Sequence, residues 1–447
     1  MKKKESNSKK MHILFCTTGT NALGESFTVA YFANELNQRG HKCFFIAPKL
    51  GKKYMLSFGF NEDSFFDLPP VKDENDKIGL EENKKKFDKF LKEVKPDFVL
   101  VADWHHFKDN GLSNEDSYSL NWIDKNIPIG TFDHVGFAPD GKKVLQEAEK
   151  HVTSQALINF QFKQFSPLPK RISFIIRPCP HHNNLLESKN NIYNWAIFKN
   201  KHEKNRQSEK FLKTYNLKDE IIIFHPIGMW QEQAIDRIFQ LFHIKSKYYF
   251  DIFLPIIFNV LHKINKNFAY IVVSASVKNE EIIKHENITL IKRPPLKHEL
   301  FMENLLVSNI FITDNLISSN MGKAVFSNIL PIVFKNTAYV DKKFSLVSPF
   351  PVNKFISDKI SLLTDSGLVY PYRSFPAGLQ ELEDMYKNNP FTDCFLEQEL
   401  FDEESNIRLF ENLCNSEDYK NNIIKAQNNY IENNGKLLSA EEILLKN

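Results

Sequence analysis

Met11 to Cys16 is a nearly unbroken apolar run that stops at Thr17-Thr18-Gly19-Thr20. Phe27, Ala30, Tyr31 and Leu36 then recur at helical spacing until Gly40, and Cys43 to Ala47 forms a second apolar run closed by Pro48. Short apolar runs of this kind are what strands covered on both faces look like, and strand, loop, helix and strand in that order make a βαβ unit, which implies a parallel sheet. The pattern returns at Phe98 to Ala102, ending at Asp103, at Ile127 to Phe132, ending at Asp133, and at Ile172 to Ile176. From His181 through Lys218 the chain turns polar and rich in Asn and Lys, and a domain boundary is expected near residue 215.

A second set of the same kind follows. Its strands are expected at Ile221 to Phe224, before His225-Pro226-Ile227-Gly228, at Phe268 to Ser274, at Ile288 to Ile291, before Arg293-Pro294-Pro295, at Asn309 to Thr313, before Asp314, and at Pro331 to Phe334. The simplest architecture is α/β: two tandem Rossmann-like doubly wound domains, residues 11–215 and 216–400, with a cleft between them. Residues 401–447 read as a helical tail with Leu409, Phe410, Leu413, Ile423, Ile424, Ile443 and Leu444 as its apolar points, and residues 1–10 as a flexible basic arm.

Composition narrows the partners. At 447 residues the chain exceeds what one hydrophobic core supports, while 42% hydrophobic and 25% charged residues suit a soluble globular protein. The 58 basic residues nearly cancel the 55 acidic ones and only 8 are Arg, so nucleic acid is not the expected partner. Five scattered cysteines (Cys16, Cys43, Cys179, Cys394, Cys414) show neither a disulfide framework nor a zinc module, which favours a reducing, cytoplasmic setting. The most apolar stretch, Tyr248 to Leu261, is broken by Asp251 and Pro255 and is too short to cross a bilayer; the lysines of the arm leave room only for peripheral contact with an anionic surface.

Acids and bases fall where an open α/β sheet holds its ligands, just past the carboxyl ends of strands. The first loop carries Gly19, Thr20 and Gly24 and leads to Glu25 in the first turn of the next helix. It is not G-x-G-x-x-G, and no acid follows where a dinucleotide ribose would need one. Glu25 reads either as compensation for the helix dipole or as a general base. Asp103, before Trp104-His105-His106, and the pair Asp133 and His134 are further acid and base candidates, with capping of the turn as the alternative for Asp103. The doublets His105-His106 and His181-His182 point to opposite faces of an extended chain, and Asp-x-Asp is absent, so no metal or other bound cofactor is expected. In the second half, Asp314 and Asn315 precede Ser318, Ser319, Asn320, Met321, Gly322 and Lys323, which open a short helix: hydroxyls, an amide and backbone N–H groups suited to a diphosphate, with Lys323 adding charge. His225 with Gly228, and Arg293 with its prolines, end neighbouring strands and read either as ligand contacts or as plain turns.

The arrangement resembles the GT-B glycosyltransferases over most of Met11 to Val340. Gly19-Thr20 with Gly24-Glu25 is similar to the first loop of the N-acetylglucosaminyltransferases of peptidoglycan precursor synthesis, where a His takes the place of this Glu. Lys95 to Asp103 followed by Ile127 to Gly130 is similar to their N-terminal domain stretch, and Ile310 to Asp314 with Ser318 to Lys323, Ala324 and Pro331 to their donor-diphosphate segment. This chain departs from that segment in having Ser318-Ser319-Asn320 for glycines and Lys323 for the Glu that holds the donor ribose. The resemblance implies a metal-independent transferase in which a nucleotide-diphosphate sugar is the co-substrate, an acceptor enters from the N-terminal domain, and Glu25 or His134 takes the acceptor's proton. A nucleotide-sugar epimerase and a catalytically silent nucleotide- or sugar-phosphate-binding protein are the alternatives.

Overall fold

The computed structural model describes residues 10–17, 23–69, 71, 76–107, 113, 117–143, 164–185, 191–202, 208–341, 343, 345–364, 366–376 and 380–447. The loop residues Gly19 and Thr20, and almost all of the basic arm, lie outside them. The described residues of Met1–Lys142, Gln164–Ile197 and Lys436–Asn447 make one compact unit, and those of Lys143–Lys163 and Phe198–Gly435 a second.

In the first unit six strands, β1 (His12–Cys16), β2 (Lys42–Ile46), β3 (Phe98–Val101), β4 (Ile129–Phe132), β5 (Phe174–Cys179) and β6 (Ile192–Ala196), lie in the order β2-β1-β3-β4-β5-β6, every pair parallel. Ile13, Leu14, Phe15, Val99, Leu100, Val101 and Phe132 are buried, as two covered faces demand. Gly130 is fixed by close approach: a Cβ there would lie 2.3 Å from the Phe174 ring and 2.8 Å from Leu100. Helix α1 (Gly24–Gln38) connects β1 to β2. Because β2 lies on one side of β1 and β3 on the other, the winding reverses at β1 and β3, and their carboxyl ends open the crevice where such sheets bind ligands.

The second unit repeats the scheme with β7 (Ile221–Pro226), β8 (Phe268–Val273), β9 (Glu281–His285), β10 (Ile288–Arg293), β11 (Ile310–Thr313), β12 (Leu330–Lys335) and β13 (Leu396–Glu399), in the order β9-β10-β8-β7-β11-β12-β13. Only the edge strand β9 is antiparallel to its neighbour. Here the winding reverses between β7 and β11. Helix α2 (Met229–Leu241) follows β7 and helix α3 (Ser319–Phe326) follows β11. Leu254–Leu261 packs its apolar side chains into the core and is not a surface helix.

The boundaries differ from those expected. The division falls between Ile197 and Phe198, not near residue 215, because the polar stretch hides β6, whose Trp195 is buried and donates its Nε1–H to Glu35 at 3.0 Å. The tail is not a separate element: Glu403–Asn415 and Glu417–Asn434 belong to the second unit, where Gln427 donates to the carbonyls of Ile329 and Cys394. Ala440–Leu444, started by a capping box of Ser439 and Glu442, returns to the first unit, where the Glu441 carboxylate meets Arg39 and His41.

Candidate functional site

At the reversal point of the first sheet the chain gathers ionisable side chains. Asp103 follows β3, and its carboxylate accepts from Nδ1 of His105 at 2.6 Å with Nδ1 of His134 3.5 Å away. Burial alone would raise its pKa, but the two imidazoles outweigh that and hold it well below the usual carboxylate range. His134 is pinned on its other side, with Nε2 2.9 Å from the hydroxyl of Thr28 on α1, which itself donates to the Gly24 carbonyl. Neither ring nitrogen of His134 is therefore turned to an incoming substrate. Glu25, in the first turn of α1, meets Nε2 of His106 at 2.8 Å, and both side chains remain partly open, at 13% and 22% exposure. His106, in the sequence only one half of a doublet, is the partner of Glu25. The His105 and His106 rings sit side by side, centroids 4.1 Å apart, on a single turn of 3-10 helix rather than on an extended chain, and each faces a different carboxylate.

Asp133 is a correction. It is fully buried and accepts from the N–H groups of Gly136, Phe137 and Ala138, with Arg177 Nε 3.4 Å away, so it builds the turn after β4 instead of meeting a substrate. Burial raises its pKa while Arg177 opposes the rise. His182 donates from Nε2 to the Asp133 carbonyl at 2.6 Å; burial pushes it and His181 down to about 3, so both are neutral.

At the reversal point of the second sheet, the groups turned outward belong to the backbone. Gly228 precedes α2 and Ser318 precedes α3, neither with a side-chain cap. Among the described residues the amides of Met229, Trp230, Ser319 and Asn320 have no acceptor, and all four residues are only half-buried. Two helix N-termini on adjacent strands thus present unpaired N–H groups at one edge, where their dipoles favour an anion. Gln231 joins the two: its amide donates to Asp314 at 3.0 Å and to the Phe375 carbonyl at 2.6 Å, and its oxygen lies 3.5 Å from Asn315 Nδ2. A Cβ on Gly228 would come within 2.4 Å of Gln231 Oε1, so a larger residue there would shift the Gln231 side chain. The buried Asp314 also accepts from the Tyr249 hydroxyl, and burial, opposed by these two partners, pushes it up to about 7. Asn315 accepts from the Ile317 N–H and shapes the turn into α3, while Gly322 lies buried within that helix.

Three expected donor contacts are placed elsewhere. His225 points into the core among Tyr249, Phe253 and Tyr270, shares a 3.0 Å hydrogen bond with the Tyr270 hydroxyl, and is pushed by burial down to about 3. Lys323 is buried with its ammonium 4.6 Å from the centre of the Phe301 ring, so it adds no charge at the helix start; burial lowers it to about 7. The sequence could not reveal this, since one turn of α3 separates its opening from its buried face. Arg293 is held by Glu280 at 2.8 Å and Asn304 at 2.8 Å, with β8 between its strand and β7.

Two doubly wound sheets with such edges define the GT-B fold. The described structure resembles the spinosyn forosaminyltransferase SpnP (9% identity, TM-score 0.51, 98% of each chain covered) and Arabidopsis thaliana UGT89C1 in complex with quercetin (9%, 0.51, 98% of each chain). It also matches the UDP-GlcNAc 2-epimerase of Neisseria meningitidis bound to UDP-GlcNAc (14%, TM-score 0.48, 98% of this chain and 100% of that one). By sequence the chain belongs to the family of unknown function DUF6365, whose profile matches residues 32–446. No curated protein matches it by sequence. Among the described residues no helix is long and apolar enough to cross a membrane.

Proposed function

We propose that the chain is a glycosyltransferase that moves a sugar from a nucleotide-diphosphate donor to an acceptor hydroxyl without a resident metal. The observation that carries this reading is the set of unpaired amides of Met229, Trp230, Ser319 and Asn320 at one reversal point, tied together by Gln231. Transfer breaks the bond between the anomeric carbon and the diphosphate, whose oxygen keeps the electron pair; the amides take up that growing charge, as a metal would in other transferases. The acceptor oxygen forms the new bond and gives its proton to the Glu25 carboxylate, which His106 positions. Asp103 and His134 hold the loop that carries these groups and do not meet the acceptor. The forosaminyltransferase SpnP, similar in fold, supports the class of reaction.

A panel of nucleotide sugars, followed by thermal shift and by release of free nucleoside diphosphate, tests the reading. A transferase is stabilised by its donor and liberates diphosphate when acceptor is present. A folded chain that no donor stabilises would overturn the proposal; recovery of an altered but intact nucleotide sugar would make it an epimerase, and binding without turnover across diverse acceptors a silent binding protein.

A further inference from the structure

We infer a second site, unrelated to sugar transfer, at the opposite edge of the second sheet: His262, His285 and Glu286 form a docking place for one divalent transition-metal cation of the zinc type. His262 ends the helix Leu254–Leu261, His285 ends β9 and Glu286 occupies the turn into β10. One ligand atom from each lies within 4.8 Å of the other two. The two imidazoles lie 4.9 Å apart between ring centres at a 36° tilt, and the Glu286 carboxylate is 3.2 Å from His262 Nδ1. Two imidazoles and a carboxylate are the donors that borderline cations such as Zn²⁺ prefer, whereas Mg²⁺ and Ca²⁺ select all-oxygen sets. Three protein ligands at a solvent-exposed position leave the fourth place of a tetrahedron to water.

His262 and the turn that carries His285 and Glu286 are tied together before any ion arrives. Asn287, next in the turn, donates from Nδ2 to the carbonyls of Leu261, Ile264 and Lys266, at 3.1, 3.3 and 2.8 Å, so it ties the hairpin tip to the end of the helix. Its Oδ1 accepts from His262 Nδ1 at 2.8 Å, so the Glu286 carboxylate flanks that protonated nitrogen and Nε2 is the one that keeps its lone pair for a metal. Glu286 sits at φ 51°, the left-handed backbone conformation of the tight turn between β9 and β10. The register places His285 opposite Ile288, at the start of β10, whose other end is Arg293, so the cluster lies at the amino edge of the sheet, away from the amides described above. Its role is mechanical. β9 is an edge strand whose five side chains are all exposed, and an ion bridging its last residue to the core helix adds to the ties that Asn287 already makes between hairpin and helix.

The test uses the full chain without any affinity tag, titrated with zinc chloride and read by calorimetry, thermal midpoint and amide exchange. One ion per chain is expected, with a raised midpoint and slower exchange confined to the β9–β10 hairpin. His285→Ala and Glu286→Gln, both at exposed positions, should weaken binding by about tenfold or more and abolish the slower exchange, with unchanged circular dichroism. Absence of zinc binding to the wild-type chain, or binding of equal strength in the two variants, overturns the site.

Discussion

At the reversal point of the first sheet the outward groups are side chains that can exchange protons, while at that of the second they are backbone amides and the ionisable side chains nearby are sunk into the core. Glu25 and His106 stay partly open in the first unit; Asp314, His225 and Lys323 are buried in the second. The same topology has been loaded with different chemistry. Proton transfer needs groups with pKa values tunable by neighbours and reachable by a substrate, and side chains supply that. Binding a diphosphate needs fixed dipoles that cost nothing to reorganise, and helix ends supply that.

The largest expected effect breaks the first half of this comparison. Glu25→Gln keeps the shape and most of the packing but cannot take a proton, so kcat should fall by about 10²–10⁴-fold with little change in KM for the donor. Steady-state kinetics on any donor and acceptor pair found in the panel measures it. An unchanged kcat would move the base away from α1. His134→Gln, by contrast, should act through folding stability more than through kcat, since its ring is already committed to Asp103 and Thr28.

The second half is sharpened by removing one amide N–H, with Ser319→Ala as the control for the hydroxyl lost alongside it. Ser319 is the first residue of α3, where proline is compatible with the helix, and Ser318 before it is extended at φ −70° and ψ 120°, as a residue preceding proline must be. Ser319→Pro should therefore fold normally and lose one hydrogen bond to a charged phosphate, weakening donor binding by about 10–100-fold at roughly 1.5–3 kcal/mol. Calorimetry with the free nucleoside diphosphate reads this directly. Equal affinity in the variant would mean that the amide faces no phosphate.

How much of this could be read from the chain depends on whether a signal is local. The ten strands anticipated are short apolar runs, and Asp103, Asp133 and Asp314 were correctly placed just past strand ends because a strand's end is visible in its own sequence. β6, β9 and β13 escaped notice: Asn194 breaks the apolar run around Trp195, Glu281–His285 is a wholly exposed edge, and Leu-Glu-Gln-Glu at Leu396–Glu399 has no apolar run at all, being a half-buried edge. The direction of a side chain is not local either. His225 and Lys323 are polar residues at plausible positions, yet one points into the core from within a strand and the other lies on the buried face of a helix. The pairing of Glu25 with His106 joins residues of two separate βα loops, which only the folded sheet brings together.

Asp314 offers a third test, through pH. An unfolded Asp ionises near pH 4, whereas burial pushes the folded group up to about 7, so between those values the folded chain keeps a proton that the unfolded chain has released. The stability contributed by the neutral carboxyl is complete below this window and is lost as pH rises through it, by up to about 1.4 kcal/mol per pH unit. Asp314→Asn should flatten that slope. Glu383, likewise pushed up to about 7 by burial, adds a slope of the same sign and remains in the variant, so the dependence should shrink and not vanish. Urea midpoints across pH 4 to 8 give both slopes, and an identical slope in variant and wild type would show that Asp314 is ionised in the folded chain.

The smallest effect is expected from Arg293, and it defines how far the second site extends. Its guanidinium would be the obvious partner for a phosphate, but it is engaged by Glu280 and Asn304, Glu280 also accepts from the Tyr215 hydroxyl, and β8 separates its strand from β7. Arg293→Ala therefore removes a local brace and leaves the amides of α2 and α3 untouched, so donor affinity should change by less than about twofold, roughly 0.4 kcal/mol, while the thermal midpoint drops slightly. If affinity instead falls by as much as in Ser319→Pro, the donor must reach across β8 to a charged side chain. The second reversal point would then combine amides with a cation, and its contrast with the first would be one of degree.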